Sequence, residues 1–308
     1  MSDAVAFFGL GSMGSGMASC LRRAGFEVNA FTNKPAVRQA FIDAGGVADD
    51  LDTFAPRAKA VVIAVVNAAQ TEDILFGRDR LAERLSEGCV IIACPTIDPA
   101  DARQFEAACT AHGLLYLDAP ISGGALKAET GALSFIASGR PEAFTAAEPF
   151  LEAMAGTVFH MGDRAGAGSV MKAVNQMLAG VHAAMTSEAM AFGMAQGLEP
   201  ERVLDVVSQS AGTSWMFENR APRLIAQDYE PAHTHLSIWP KDLGIILGIC
   251  RQLGLDAPIT EAALDRYQQA IDDGRAHQDD SSLVMTYLEA AGLPRAPAKV
   301  NRGNSNAD

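Results

Sequence analysis

Ala4-Val5-Ala6-Phe7-Phe8-Gly9-Leu10-Gly11-Ser12-Met13-Gly14 starts as an apolar run and breaks into spaced glycines, with Met17, Leu21 and Ala24 following at helical spacing. The order is strand, glycine turn, helix. In such a turn Gly9 allows the tight bend, Gly11 lets a pyrophosphate approach the backbone, and Gly14 lets the helix pack close to the strand. Free N–H groups at the helix start then face the phosphates. Gly9, Leu10, Gly11, Ser12, Met13 and Gly14 are therefore the predicted phosphate-binding residues. A purely structural glycine turn is the rival reading, and the position of the turn, followed by Gly25 and a second strand from Glu27 to Phe31, weighs against it.

Outward from this turn, strand and helix signals alternate as in a doubly wound α/β sheet. Apolar runs at Ala60–Val66, Cys89–Ala93, Leu114–Asp118, Leu133–Ser138 and Thr157–His160 bring the expected sheet to about eight strands. Helices are predicted from near Ala68, over Asp98–His112 and over Pro141–Ala155. Ligands of open α/β sheets bind at the carboxyl ends of the strands, which singles out Val66 and Thr96. Asp98 and Pro99 also read as an N-cap and first helical residue, a reading compatible with a ligand contact at Thr96. At another strand end, the successive N–H groups of Ser122-Gly123-Gly124-Ala125 and the Ser122 hydroxyl suit a carboxylate. A flexible turn would explain those glycines but not their place.

From Gly166 a long helical pattern runs to about Gly197. Val170, Val174, Met177, Val181 and Met185 share one face, while Lys172, Asn175, Gln176, Ala179 and Ala183 share the other. Lys172 is thus a cation on a face of small, nearly uncharged residues. Such a lysine either snorkels to solvent or is buried and functional, and the alanines around it favour burial. The predicted organisation is a dinucleotide-binding domain over 1–164, an all-helical domain over 165–293, and a disordered tail over 294–308 that lacks apolar content.

In the helical half, helices are predicted over Glu201–Ser208, from Pro240 to Leu253 and over Pro258–Asp272, with an aromatic turn at Ser214–Arg220. Trp215 and Phe217 read as core rather than pocket. Lys241 and Asp242 can be a solvated pair. A lysine in a first helical turn opposes the helix dipole, however, which suggests an anionic partner. Exposed apolar groups on such a helical domain favour a homodimer or homotetramer.

The end of the second strand bears on the cofactor. NAD selection places an acid there, accepting from the ribose hydroxyls and repelling a 2′-phosphate. This chain has Thr32, with Asn33, Lys34 and, one helical turn beyond, Arg38. That field suits NADP better than NAD.

Composition narrows the partners. Over 308 residues the formal net charge is −13, which argues against nucleic acid or an anionic membrane as partner. The five cysteines, Cys20, Cys89, Cys94, Cys109 and Cys250, have no CxxC pair and no histidine at metal-ligand spacing. They read as reduced, mostly buried thiols, and no metal is expected. With no signal peptide or membrane-length apolar segment legible, a cytoplasmic protein acting on a small molecule is the expectation.

Taken together, Gly9–Gly14, Asp118-Ala119-Pro120-Ile121-Ser122-Gly123-Gly124, Gly166–Gln176 and Lys241-Asp242-Leu243 resemble the motifs of the β-hydroxyacid dehydrogenases, the 3-hydroxyisobutyrate dehydrogenase family. The resemblance runs to about Leu293. Ser214–Arg220 and Gln176–His182 look most like the L-threonate dehydrogenase branch, whereas the pair Asn175-Gln176 is closer to tartronate semialdehyde reductase. The resemblance implies a Rossmann-type domain, an all-helical domain and hydride transfer between NADP or NAD and a small hydroxy acid. It also implies Lys172 as general acid/base, Ser122, Gly123 and Gly124 as carboxylate anchor, Asn175 and Gln176 as substrate contacts, and Thr96 and Lys241 as cofactor contacts. An imine or ketone reductase of the same fold is one alternative, but such enzymes usually lack the lysine. A non-catalytic dinucleotide sensor is another, and Lys172 counts against it too.

Overall fold

The computed structural model describes residues 3–293, so the tail from 294, expected to be disordered, lies outside the described residues. The chain divides into two compact units, Met1–Val174 and Asn175–Asp308. The first runs β1 (Ala4–Phe8), α1 (Gly14–Arg23), β2 (Glu27–Phe31), α2 (Pro35–Asp43), α3 (Leu51–Phe54), β3 (Ala58–Ile63), α4 (Ala68–Leu75), β4 (Val90–Ala93), α5 (Pro99–Ala111), β5 (Leu115–Asp118), β6 (Ile121–Ser122), α6 (Gly124–Glu129), β7 (Leu133–Ala137), α7 (Pro141–Met154) and β8 (Ala155–His160). The long helix α8 (Ala167–Ala195) follows. The second unit continues with α9 (Pro200–Val207), α10 (Trp215–Ala226), α11 (Ile238–Leu253), α12 (Pro258–Asp272) and α13 (Val284–Ala290).

Five strands pair in parallel in the order β2-β1-β3-β4-β5. Alternate residues feed two separate cores: Val5, Phe7, Val62 and Ile92 on one face, Ala6, Phe8, Val61 and Ile91 on the other. A parallel sheet covered by helices on both faces needs apolar residues at every position, which is why its strands read as unbroken apolar runs. β3 stops at Ile63, short of the expected Val66, because its pairing with β4 ends at Ile63 and Ala93.

The single sheet of about eight strands is corrected. β6, β7 and β8 form a separate three-stranded sheet, β6 antiparallel to β7 and β7 parallel to β8. After Asp118 the chain turns through Pro120, which has no N–H with which to extend the β5 ladder. An isolated antiparallel bridge from Asp118 to Ser138 lies where the two sheets meet.

In the second unit the expected aromatic turn is helical. Ser214 is the N-cap of α10, its Oγ accepting from the Phe217 N–H at 3.0 Å. Phe217 joins a core with Met190, Ala221, Leu224, Val284, Met285 and Leu288. Trp215, two residues away on the opposite side of the helix, is 61% exposed, so its assignment to the core is corrected.

α8 buries its small face. Lys172, Gln176, Gly180, Ala183, Ala184 and Ser187 are buried, whereas Val170, Val174, Leu178, Met185 and Phe192 are exposed. The small residues answer a close approach: a Cβ on Gly180 would lie 2.9 Å from the Leu243 side chain and 3.0 Å from Trp239. The Tyr267 hydroxyl donates to the Gly180 carbonyl at 2.8 Å. No helix among the described residues is long and apolar enough to cross a membrane.

Candidate active site

Because β1 to β5 are parallel, their carboxyl ends share one edge of the sheet, and most of the predicted contacts gather there. At the end of β1, Gly9 has φ +99°, and a Cβ on it would stand 2.5 Å from the Ala64 carbonyl oxygen. A Cβ on Gly14 would stand 1.8 Å from the Gly9 carbonyl oxygen, so both glycines are demanded by packing. Gly11 is different: a Cβ there meets nothing within 4 Å. The residue before α1, Met13, has no side-chain capping bond, and the first turn of α1 carries no acid. A turn with open space before Gly11 and a helix start uncapped by side chains fits a pyrophosphate.

At the end of β2, Thr32 is half-buried and Asn33 and Lys34 are exposed. The Lys34 N–H donates to Thr32 Oγ1 at 3.3 Å. Arg38 turns back onto the strand, donating to the carbonyls of Ala30 at 3.1 Å and Asp49 at 3.2 Å, with its guanidinium 5.8 Å from the Phe31 ring centroid. It is a fixed positive charge close to the strand end rather than a free arm.

Past the end of β3, Val66 is 52% exposed and its N–H donates to Gln70 Oε1 at 2.8 Å. Past β4, Thr96 is half-buried, between the buried Cys94 and Asp98, which caps α5 by accepting from the Ala100 N–H at 2.7 Å. The thiol of Cys94 is pushed up by burial first and by Asp118 second, so it stays protonated.

Beyond β5, Ser122 pairs with Ser134 of β7, and Gly123 and Gly124 take φ values of +140° and +78°. A Cβ on Gly123 would press on Lys127, whereas one on Gly124 meets open space. Asp118 itself, 1% exposed, opens the motif Asp118–Gly124 without a role assigned to it from sequence, yet it gathers the start of α8. It accepts from the N–H groups of Gly166 and Ser169 and from the hydroxyls of Ser138 and Ser169. One turn beyond Ser169 stands Lys172, 6% exposed.

The second unit carries the remaining predicted residues. Asn175 Nδ2 donates to Gln176 Oε1 at 2.9 Å, and Gln176 Nε2 donates to Asp242 Oδ2 at 2.5 Å. Lys241 Nζ lies 2.6 Å from Asp242 Oδ1, an ion pair. Asp242 is 1% exposed, so the Lys241–Asp242 pair is not the solvated pair considered from sequence. Asp242 joins Gln176 and Lys241 in one chain of contacts, and the sequence marked it only as the middle residue of Lys241-Asp242-Leu243, without a role of its own.

Residues 4–162 match the family described as the NAD-binding domain of 6-phosphogluconate dehydrogenase. Residues 166–287 match that described as NAD-binding of NADP-dependent 3-hydroxyisobutyrate dehydrogenase. An L-threonate dehydrogenase of Cupriavidus necator is 42% identical over 93% of this chain and 97% of its own length. A 3-hydroxyisobutyrate dehydrogenase of Pseudomonas aeruginosa is 35% identical over 93% of this chain and 99% of its own. Among solved structures, a 3-hydroxyisobutyrate dehydrogenase from Salmonella typhimurium superposes with a TM-score of 0.86 at 38% identity, covering 92% of this chain and 99% of that one.

Proposed function

Because the chain belongs to the 3-hydroxyisobutyrate dehydrogenase family of β-hydroxyacid dehydrogenases, we propose that it oxidises a small hydroxy acid reversibly with NADP, and with NAD less well. The substrate is threonate-like or 3-hydroxyisobutyrate-like, in keeping with the names its relatives carry, with glycerate a further candidate of the same class. The observation that carries the reading is Lys172, a lysine only 6% exposed on the small-residue face of α8.

The dinucleotide, when bound, accepts the hydride of the carbinol carbon. Hydride leaves only as the hydroxyl proton is removed, which calls for a base beside that oxygen, and Lys172 in its neutral amine form takes that proton and becomes the ammonium. Ser122, Gly123 and Gly124 receive the carboxylate on their N–H groups and the serine hydroxyl. Asn175 contacts the substrate hydroxyls. Gln176 is the second such contact, and its bonds to Asn175 on one side and Asp242 on the other hold the pair in place. Gly9 to Gly14 receive the pyrophosphate, Thr32, Asn33 and Lys34 the ribose phosphate, and Val66, Thr96 and Lys241 complete the cofactor contacts. The dinucleotide domain is taken as 1–164 and the helical domain as 165–293. The protein works in the cytoplasm as a homodimer or homotetramer, joined through the exposed stripe of α8.

Turnover of L-threonate, 3-hydroxyisobutyrate and glycerate with each dinucleotide tests the activity. Lys172→Ala should lower kcat by about two orders of magnitude or more while dinucleotide affinity stays near wild type. Near-wild-type turnover in that variant would sink the assignment of the base.

A further inference from the structure

Asp118 closes β5, and both of its oxygens are committed. Oδ2 accepts from the N–H of Gly166 at 2.9 Å, the N–H of Ser169 at 2.9 Å and the Ser138 hydroxyl at 3.1 Å. Oδ1 accepts from the Ser169 hydroxyl at 2.7 Å. Ser138 Oγ in turn accepts from the N–H of Gly168 at 2.8 Å. The first N–H groups of a helix have no partner inside it, and here those of Gly166, Gly168 and Ser169 are answered by side chains at the ends of β5 and β7. Gly168 has no room for a side chain, since a Cβ would stand 2.4 Å from the Ile136 carbonyl oxygen and 2.9 Å from that of Asp118. The start of α8 is therefore pressed onto the strand ends and latched there.

The latch is costly. Burial pushes the Asp118 carboxyl above the usual carboxylate range, against the pull of its hydrogen bonds and of the favourable helix dipole. A helix start left at the surface would need only a solvated cap. What the buried carboxylate adds is register, and its two neighbours along the chain say for what. Ser122 lies four residues after Asp118, and Lys172 lies three residues after Ser169. We infer that Asp118 is a positioning residue of the reaction, fixing the turn of α8 that carries Lys172 against the strand end that leads into the Ser122–Gly124 anchor. The inference rests on the reading of Lys172 as the base. Asp118 acts through the helix and does not touch the substrate.

Two substitutions separate frame from charge. Asp118→Asn keeps a carbonyl oxygen for the Gly166 and Ser169 N–H groups, and the Ser169 hydroxyl can turn to accept from the new amide. Asp118→Ala removes the whole frame. With the full-length enzyme, Asp118→Ala should lower kcat by about ten- to a hundredfold, the scale of a small misplacement of a catalytic group, while dinucleotide Kd stays within about twofold. Asp118→Asn should recover to within about threefold of wild type, and Ser138→Ala should fall between the two. Combined with Lys172→Ala, Asp118→Ala should add no further loss, because residues acting through one another are not additive. If Asp118→Ala does not fold, Ser138→Ala alone and in the same double variant carries the test.

Wild-type kcat in Asp118→Ala or, failing that variant, in Ser138→Ala overturns the inference. So does an Asp118→Asn variant as inactive as Asp118→Ala, since charge and not frame would then be acting, and so do losses that multiply in the double variant. Normal turnover in Lys172→Ala alone is a different failure: it removes the base assignment, and the inference with it.

Discussion

Gly11 and Gly14 stand three residues apart and do opposite work. Gly14 serves the fold, because its missing Cβ would overlap the Gly9 carbonyl, whereas Gly11 fronts open space. Gly14→Ala should therefore cost about 3 kcal/mol or more of stability, or prevent folding. Gly11→Ala should leave the melting temperature near wild type and weaken dinucleotide binding by about tenfold or more, because its methyl occupies the room a phosphate needs. A Gly11→Ala protein binding dinucleotide as tightly as wild type would contradict this. The cysteines give a second measurement. All five are buried, and burial pushes the Cys89 and Cys109 thiols up to about 12. The thiolate is the reactive form, so the native enzyme should resist alkylation at about pH 8 and expose every thiol once unfolded; fast labelling of Cys89 or Cys109 in the native state would refute it. At this scale the glycine turn was legible because its steric demand is local. Asp118 and Asp242 were not, since the side chain of one meets residues 20 to 51 positions away and that of the other reaches Gln176, 66 positions away.

Elements were legible where a periodic pattern and an end signal agreed. Asp98 and Pro99 opened α5 as expected, and Pro258 to Asp272 is α12. The sheet split was hidden, because strand pairing is a long-range choice that an apolar run does not record. The turn at Ser214 was misjudged because three large side chains follow the cap, and only packing of Phe217 makes a helix of them. Two predictions belong here. The end of β2 offers Thr32, Asn33, Lys34 and the fixed Arg38, with no carboxylate among residues 32–38. kcat/KM should be higher with NADP than with NAD, and Thr32→Asp should reverse or erase that preference by like-charge repulsion. A clear wild-type preference for NAD, or a Thr32→Asp enzyme that uses NADP undiminished, would show that this strand end does not select the cofactor. In the β6–α6 turn, Ser122→Ala should raise KM for the acid by the equivalent of about 1 to 3 kcal/mol if its hydroxyl meets the carboxylate. Equal use of acids and their uncharged amides by wild type would remove the anchor.

At the scale of the whole molecule, the surface of α8 poses the largest question, because Met171, Leu178, Met185 and Phe192 recur every seven residues and are all exposed, Phe192 at 69%. Val174 is exposed and Val181 half-buried, at the intermediate positions of the same repeat. A seven-residue apolar repeat is the pattern of a helix that pairs with another helix, and from Met171 to Phe192 the seam is about 30 Å long. A second copy of the same helix, related by a two-fold axis, would present the same seam and close the contact. Each copy of the chain carries a formal charge of −13, so long-range repulsion would oppose such pairing and apolar burial would have to outweigh it. Added salt screens the repulsion and leaves the burial intact. Sedimentation should therefore find at least a dimer at micromolar concentration, no weaker at high salt than at low. Leu178→Glu with Phe192→Glu, two exposed positions outside the proposed catalytic residues, should yield monomers of unchanged helix content. A wild-type monomer would refute the reading, as would a double variant that sediments like wild type.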